Sequence, residues 1–405
     1  MIYLFKMAIR DLGRNRRRSF FSALALGIGL ALLLLMAATI EGEMRGSMDS
    51  TIKLQSGHMQ IRMNSYSDEK TSLAWEDLIE NPAQVAAKIA SLPPVKVITP
   101  RLIASGIVTS NDQSLGVSIL GIDPASDANL PFRDGVVSGE FLTADDREGI
   151  LVGKPLADKI NLKVGDKVNL LVNTSNGEVD EQPFVIRGVY STKTPSYDER
   201  TIFMPLAKAQ AITQTENHAS VLFILLNDRE QTDAVAMALQ TNQLQVRTWK
   251  QANEILIQTE EFSRAYLIFL YLIILGITAT VIVNTLVMAV FERTREIGIL
   301  AAIGMKGPRI MAMFFAESSL LAVGGIIMGL IMGGLLVLYS TNVGFYIGNI
   351  GASGLLLGER IYGYLTLEDT VTLTIVAFVI TLLAALYPAL LAARMEPVEA
   401  LHGGK

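Results

Sequence analysis

The chain has 405 residues, 50% of them hydrophobic and 18% charged, with a mean hydropathy of +0.39 and a formal net charge of −5. That balance excludes an ordinary soluble domain, and the acidic total offers nothing to nucleic acid. With no cysteine, the chain has no disulfide framework, no thiolate metal site and no lipid-attachment cysteine.

Residues 1–18 read as a cytoplasmic amphipathic helix, in which Leu4, Phe5, Ala8, Ile9 and Leu12 share one face. Transmembrane helix 1 is expected over 19–41, since residues 19–40 carry no charge and about 20 apolar residues span a bilayer. A cleaved signal peptide is the alternative, but its apolar region runs to only about 7–15 residues and no good small-x-small site follows here. Transmembrane helix 2 is expected over 263–291, helix 3 over 310–340 with Glu317 as its one charged residue, and helix 4 over 369–393. Pro388, preceded by Tyr387, predicts a kink in the fourth helix.

Charge placement sets the orientation. Residues 1–18, the loop 292–309 and the tail 394–405 together hold 12 basic and 5 acidic side chains, a net of +7. Residues 41–263 hold 20 basic and 30 acidic side chains, a net of −10. Basic flanks stay inside. Both termini are therefore expected in the cytoplasm, with 42–262 and the loop 341–368 outside it.

The extracytoplasmic domain reads as α+β. Two strand–helix–strand units, at 57–63, 82–92 and 95–108 and again at 220–227, 229–241 and 244–249, predict a ferredoxin-like lobe. Residues about 110–217 form a β-rich insertion, with strands expected at 115–121, 167–172, 184–190 and 201–204. No catalytic set is legible there. His58 and His218 lie in no HExxH pattern, and the acidic pairs Asp145-Asp146, Asp180-Glu181 and Asp198-Glu199 read as solvated loop charge. Residues 149–155 (GILVGKP) have one residue too few between the glycines, and Pro155 where a phosphate loop needs Ser or Thr.

The most informative stretch is 292–304 (ERTREIGILAAIG), a compact charged segment between two spans. Its size suits a docking piece for a soluble partner; the plainer alternative is an interfacial turn anchored by Arg293 and Arg295. Ile297, Leu300 and Ala301 form a narrow helical stripe, expected to seat in a partner's groove, while Arg293 and Arg295 are expected to face water or headgroups. In the third span Gly325, Gly329 and Gly333 recur every four residues and predict close helix packing. Glu317 should face protein or water, with Asn284 as a candidate partner.

Residues 292–304 and 387–401 (YPALLAARMEPVEAL) resemble the signatures of FtsX-like, MacB-type ABC transporter permeases, and 56–61 (SGHMQI) and 162–168 (LKVGDKV) are similar to that family's extracytoplasmic domain. The layout of one span, a large outside domain, three spans and a short tail agrees. The resemblance implies a type VII system working by mechanotransmission in the bacterial inner membrane. Two permease chains, identical or paralogous, would bind two copies of an ABC ATPase at Glu292, Arg293, Arg295, Glu296, Ile297, Gly298, Leu300, Ala301 and Gly304. ATP and Mg would sit on that ATPase, with no cofactor on this chain; MacB-like proteins fuse the ATPase ahead of the first span, where only 18 residues stand here. Length and ending look most like the lipoprotein-releasing Lol permeases, which implies a lipoprotein or other lipophilic cargo and a periplasmic carrier. The alternatives are an FtsX-like transducer of a cell-wall hydrolase and MacB-like efflux of peptide or drug.

Overall fold

The computed structural model describes residues 8–10, 13–14, 16–67, 73–110, 113–241, 243–348 and 356–395. Most of the amphipathic 1–13 segment, and 396–401 of the closing motif, lie outside the described residues. The chain forms two compact units. One comprises Met1–Met44, Glu260–Phe345 and Ile361–Lys405; the other comprises Arg45–Thr259 and Tyr346–Arg360.

The principal helices, in chain order, are α1 (Arg16–Thr51), α2 (Pro82–Ala90), α3 (Leu206–Thr213), α4 (Thr232–Leu239), α5 (Glu254–Glu292), α6 (Thr294–Ala302), α7 (Gly307–Asn342) and α8 (Leu367–Ala393). The strands are β1 (Met59–Met63), β2 (Ile79–Glu80), β3 (Val95–Ser110), β4 (Gln113–Ile122), β5 (Val136–Gly139), β6 (Gly149–Gly153), β7 (Lys167–Asn173), β8 (Val179–Tyr190), β9 (Thr201–Pro205), β10 (His218–Ala219), β11 (Val221–Leu226) and β12 (Leu244–Thr248).

In the first unit, α1, α5, α7 and α8 are each long and apolar enough to cross a membrane. They converge on Leu30, Leu33 and Leu34 of α1, Leu275 of α5, Ile326 of α7 and Ala377 of α8. Several polar groups of these helices bond within a helix or to a neighbouring one. Ser22 and Thr285 share a hydrogen bond of 3.1 Å between α1 and α5, and Thr278 Oγ1 donates to Ile274 O. Thr366 caps α8 by accepting from Asp369 N at 3.0 Å. Pro388 is buried inside α8, which continues past it to Ala393.

In the second unit one long strand serves two lobes. The N-terminal half of β3 closes a sheet of order β12-β1-β11-β3, antiparallel throughout. Alternation puts Met59, Ile61, Leu222 and Ile224 on one face, where Ile89 of α2 and Val235 of α4 cover them. The C-terminal half of β3 belongs to a different layer. It pairs with β4 and β7, and pairing passes from β4 to β9, β6, β8 and back to β7. The circuit is closed, so these six strands leave no free edge among themselves. Its interior is filled by Ile119, Ile150, Val152, Leu170, Phe184 and Ile186. The segment 149–153 is thus a fully buried central strand, which explains why it is apolar between its glycines.

The acidic pairs are not uniformly solvated, contrary to the sequence expectation. Asp198 is 1% exposed and accepts from Thr192 N at 2.9 Å and from Thr192 Oγ1 at 2.6 Å. Asp146 pairs with Arg187 at 2.9 Å and caps the turn before β6 by accepting from Gly149 N. His58 Nδ1 accepts from Leu226 N at 2.9 Å, and His218 lies against Trp75, so both rings have structural neighbours.

Candidate functional site

Helix α5 stops at Glu292 because Arg293 leaves helical geometry, with φ −109° and ψ 13°. Thr294 Oγ1 then bonds back to Phe291 O at 2.9 Å, and a separate nine-residue helix, α6, begins. It ends at Gly304, whose φ of +97° is the left-handed conformation that suits glycine after a helix. The Met305 N–H donates to Leu300 O at 3.0 Å, and Pro308 sits in the first turn of α7, where its missing N–H costs nothing.

The two faces of α6 differ. Ile297 is 1% exposed and packs with Val290, Ile310, Met313, Phe314 and Ala389. Gly298 is buried beside it, and Leu300 and Ala301 are half-buried. The stripe expected to seat in a partner is therefore occupied by the chain's own membrane helices. The opposite face presents Arg295, Glu296, Ile299 and Ile303 to solvent, with Ile303 80% exposed. Gly304 is exposed at the end of that face.

Charges fix α6 from two sides. Arg14 Nη1 donates to Glu296 Oε1 at 2.8 Å, and Arg18 pairs with Glu292. The two pairs match a four-residue spacing in reversed order, Arg14 with Glu296 and Arg18 with Glu292. Arg293, expected to face water or headgroups, instead turns inward and meets Glu317 of α7 at 3.4 Å. Its side chain is 7% exposed and that of Glu317 3% exposed. A carboxylate within an apolar bundle requires a cation or water, and Arg293 supplies the cation. Asn284, the partner expected from sequence, is exposed on α5.

The glycine stripe of α7 faces α1. A methyl group built on Gly325 would lie 2.8 Å from Leu26 Cβ, one on Gly329 2.8 Å from Leu30 Cβ, and one on Gly333 2.9 Å from Leu34 Cδ1. Gly27 of α1 completes the close approach, 3.1 Å from Gly325 O by the same measure. Gly334, one residue off the stripe, has nothing within 4 Å.

The sequence reading missed the partners of the two acids, although Arg14 and Arg18 repeat the spacing of Glu292 and Glu296. It also expected Ile297, Leu300 and Ala301 to point outward, whereas Ile297 is buried and the other two are half-buried. Ile299 and Ile303, four residues apart, carried the signal.

Four helices long and apolar enough to cross a membrane, an α+β unit with a closed β-barrel, and a short charged helix between two of the long helices are the features of a polytopic membrane protein. Two family descriptions match it: the MacB-like periplasmic core domain over residues 19–242 and the FtsX-like permease C-terminal over 268–397. The chain belongs to this family of FtsX-like, MacB-type ABC transporter permeases. It is 22% identical over 94% of its length to the lipoprotein-releasing system transmembrane protein LolE of Haemophilus influenzae, covering 93% of that protein. It is 23% identical over 98% of its length to LolC of Neisseria meningitidis, covering 98% of it. It is also 28% identical, over 96% of its length, to the pyoverdine export ATP-binding/permease protein PvdT of Pseudomonas fluorescens, of which it spans 57%.

Proposed function

We propose that this chain is a non-catalytic permease subunit of the bacterial inner membrane that couples ATP hydrolysis on a separate ABC ATPase to movement of its extracytoplasmic unit. The observation that carries this reading is the outward face of α6, where Ile299 and Ile303 are exposed beside Arg295 and Glu296. Apolar side chains among charges, on a rigid short helix locked to its own bundle by Ile297, suit the groove of a soluble partner. Two permease chains would each present this face to one of two ATPase copies. The basic ends of the spans favour a cytoplasmic placement of both termini and of α6.

Helices of 36 and 39 residues, α1 and α5, exceed the length needed to span the bilayer and suit a relay of movement rather than a pore. We read the lobe of order β12-β1-β11-β3, with α2 and α4 on one face, as ferredoxin-like and the barrel as its insertion. The cargo we infer is a lipoprotein or another lipophilic molecule lifted from the outer leaflet, because the matches to LolE and LolC run end to end. Efflux of a secreted small molecule is the second reading, favoured by the similarity to PvdT.

Ile303→Asp and Ile299→Asp, in the chain co-expressed with its ATPase, test the coupling. Both variants are expected to insert and fold while losing co-purified ATPase. Undiminished ATPase recovery would discard the outward face as the dock. Photo-crosslinking from Phe262 and Tyr266, exposed near the N-terminal end of α5, separates the cargo readings. Acylated protein adducts support extraction; small-molecule or hydrolase adducts discard it.

A further inference from the structure

The most unusual side chain of the second unit is Arg101, 1% exposed at the point where β3 passes from one lobe to the other. Its own backbone still pairs with Val221 in the α+β lobe, while the next residue, Leu102, pairs with Gly121 of the barrel. Among the described residues no carboxylate lies within ion-pair distance of it, so charge neutralisation is not what holds it there. Burial lowers its pKa to about 10, which still leaves it protonated at neutral pH.

The guanidinium instead contacts three pieces of the unit, and the ring of Phe132, next to the Asn129 segment, lies 5.6 Å away. Nη1 donates to Leu54 O at 3.0 Å, within the π-helical turn Ile52–Ser56 that follows α1. Nη2 donates to Asn129 Oδ1 at 3.1 Å, and Asn129, fully buried, in turn donates to Asp123 O at 2.8 Å in the barrel lobe. The cation lies 3.6 Å above the ring of Phe223 on β11 of the α+β lobe. Its Nε has no partner. A buried cation whose hydrogen-bonding capacity is incompletely met is expensive, and an apolar residue of similar volume would serve packing as well or better. What an apolar residue cannot do is grip two carbonyl oxygens and an aromatic face on three separate elements.

The π-turn it grips is itself unusual. Wide turns of this kind concentrate at functional sites. Here the turn ends in Gly57 at φ +62°, and Leu54 packs with Phe132, Tyr197 and Phe203 of the barrel lobe.

We propose that Arg101 is the pivot through which displacement of the C-terminal end of α1 is passed to both lobes of the extracytoplasmic unit. This rests on the coupling function proposed above. Arg101 is a positioning residue: it touches no cargo, and it ties the π-turn to the α+β sheet and to the barrel, so that displacement of the turn changes how the two lobes sit against each other.

The chain has no cysteine, so Lys88→Cys on α2 and Lys167→Cys on β7, both at exposed positions, give unique sites for paired spin labels on the two lobes. Distances are measured by electron–electron resonance in the full complex with its ATPase, nucleotide-free and ATP-bound. The labelled parent is expected to change by ~2 Å or more, the scale of helix shifts in such transitions. Arg101→Lys keeps the charge but replaces the planar fork, whose two nitrogens each reach a different acceptor, with a single ammonium, and Asn129→Ala removes one arm alone. Both are expected to lose the nucleotide-dependent change while retaining bound ATPase. A change preserved in Arg101→Lys, even with a lowered melting temperature, overturns the pivot and leaves a purely structural residue. If Arg101→Lys does not accumulate, Asn129→Ala decides by the same criterion. No change in the labelled parent overturns the pivot, whereas the coupling function stands or falls separately, by the ATPase recovery of Ile303→Asp.

Discussion

The Arg293 guanidinium meets the Glu317 carboxylate at 3.4 Å, with both side chains almost completely buried, at the junction of α5 and α6 against α7. Removing one partner of such a pair leaves a charge stranded in low dielectric and costs on the order of 3–5 kcal/mol. Replacing both by apolar side chains of similar volume is often neutral. Glu317→Ala and Arg293→Ala should therefore each lower the unfolding temperature in detergent sharply, while Arg293→Met with Glu317→Leu recovers most of the loss. A double variant as unstable as the sum of the single ones would mean that the two side chains act independently.

The pairs Arg14–Glu296 and Arg18–Glu292 are a different case. Arg14 and Glu296 are 70% and 50% exposed, so solvent and salt screen them. Arg14→Gln should change stability by less than ~1 kcal/mol, and added salt should erase even that. A loss matching that of Arg293→Ala, measured in the same unfolding assay, would show that this pair is not screened.

The glycine stripe predicts a position-specific effect. At Gly329 a methyl group would crowd Leu30 Cβ at 2.8 Å and Gly27 O at 3.0 Å, so Gly329→Val must push α7 away from α1. At Gly334 nothing stands within 4 Å, and Gly334→Ala should be tolerated. Thermal unfolding of the two variants in one detergent checks this; equal melting temperatures would show that the stripe does not set helix spacing.

The four long apolar helices were legible because a run of 20 or more residues with at most one charge has few other solutions, and the paired strand–helix–strand pattern because its periods change from 2 to 3.6. The barrel was legible only in pieces. Residues 149–153 carry no alternation, since both faces of β6 are buried, and closure through β7 joins strands whose order in space differs from their order in the chain. In the segment 292–304, the residue types were visible but not their facing. A nine-residue helix with Ile297, Ile299 and Leu300, followed directly by Ile303, has apolar groups on two sides, and only the packing of Ile297 against Phe314 and Ala389 decides which side is inward. Arg101 could not be found at all, because an isolated arginine in a strand reads as surface charge.

Asp198 gives the second unit a pH dependence of definite sign. Burial raises its pKa to about 6, outweighing the donors Thr192 and Ser191 that favour the carboxylate, and Glu359 adds a small push in the same upward direction. The folded-state value thus stands above the ~3.9 of an unfolded chain, so the folded protein binds this proton more tightly. The associated stabilisation is complete below the unfolded value and is lost as pH rises through about 6. Asp198→Asn cannot ionise but keeps an oxygen to accept from Thr192. Relative to this variant, the parent chain should lose stability between about pH 4 and about pH 6.5 and change little above that. Unfolding temperatures of the two full-length proteins, measured in parallel across this range, test the claim. A difference that stays flat would mean that Asp198 ionises in the folded protein as easily as in the unfolded chain, and that its burial is relieved by water.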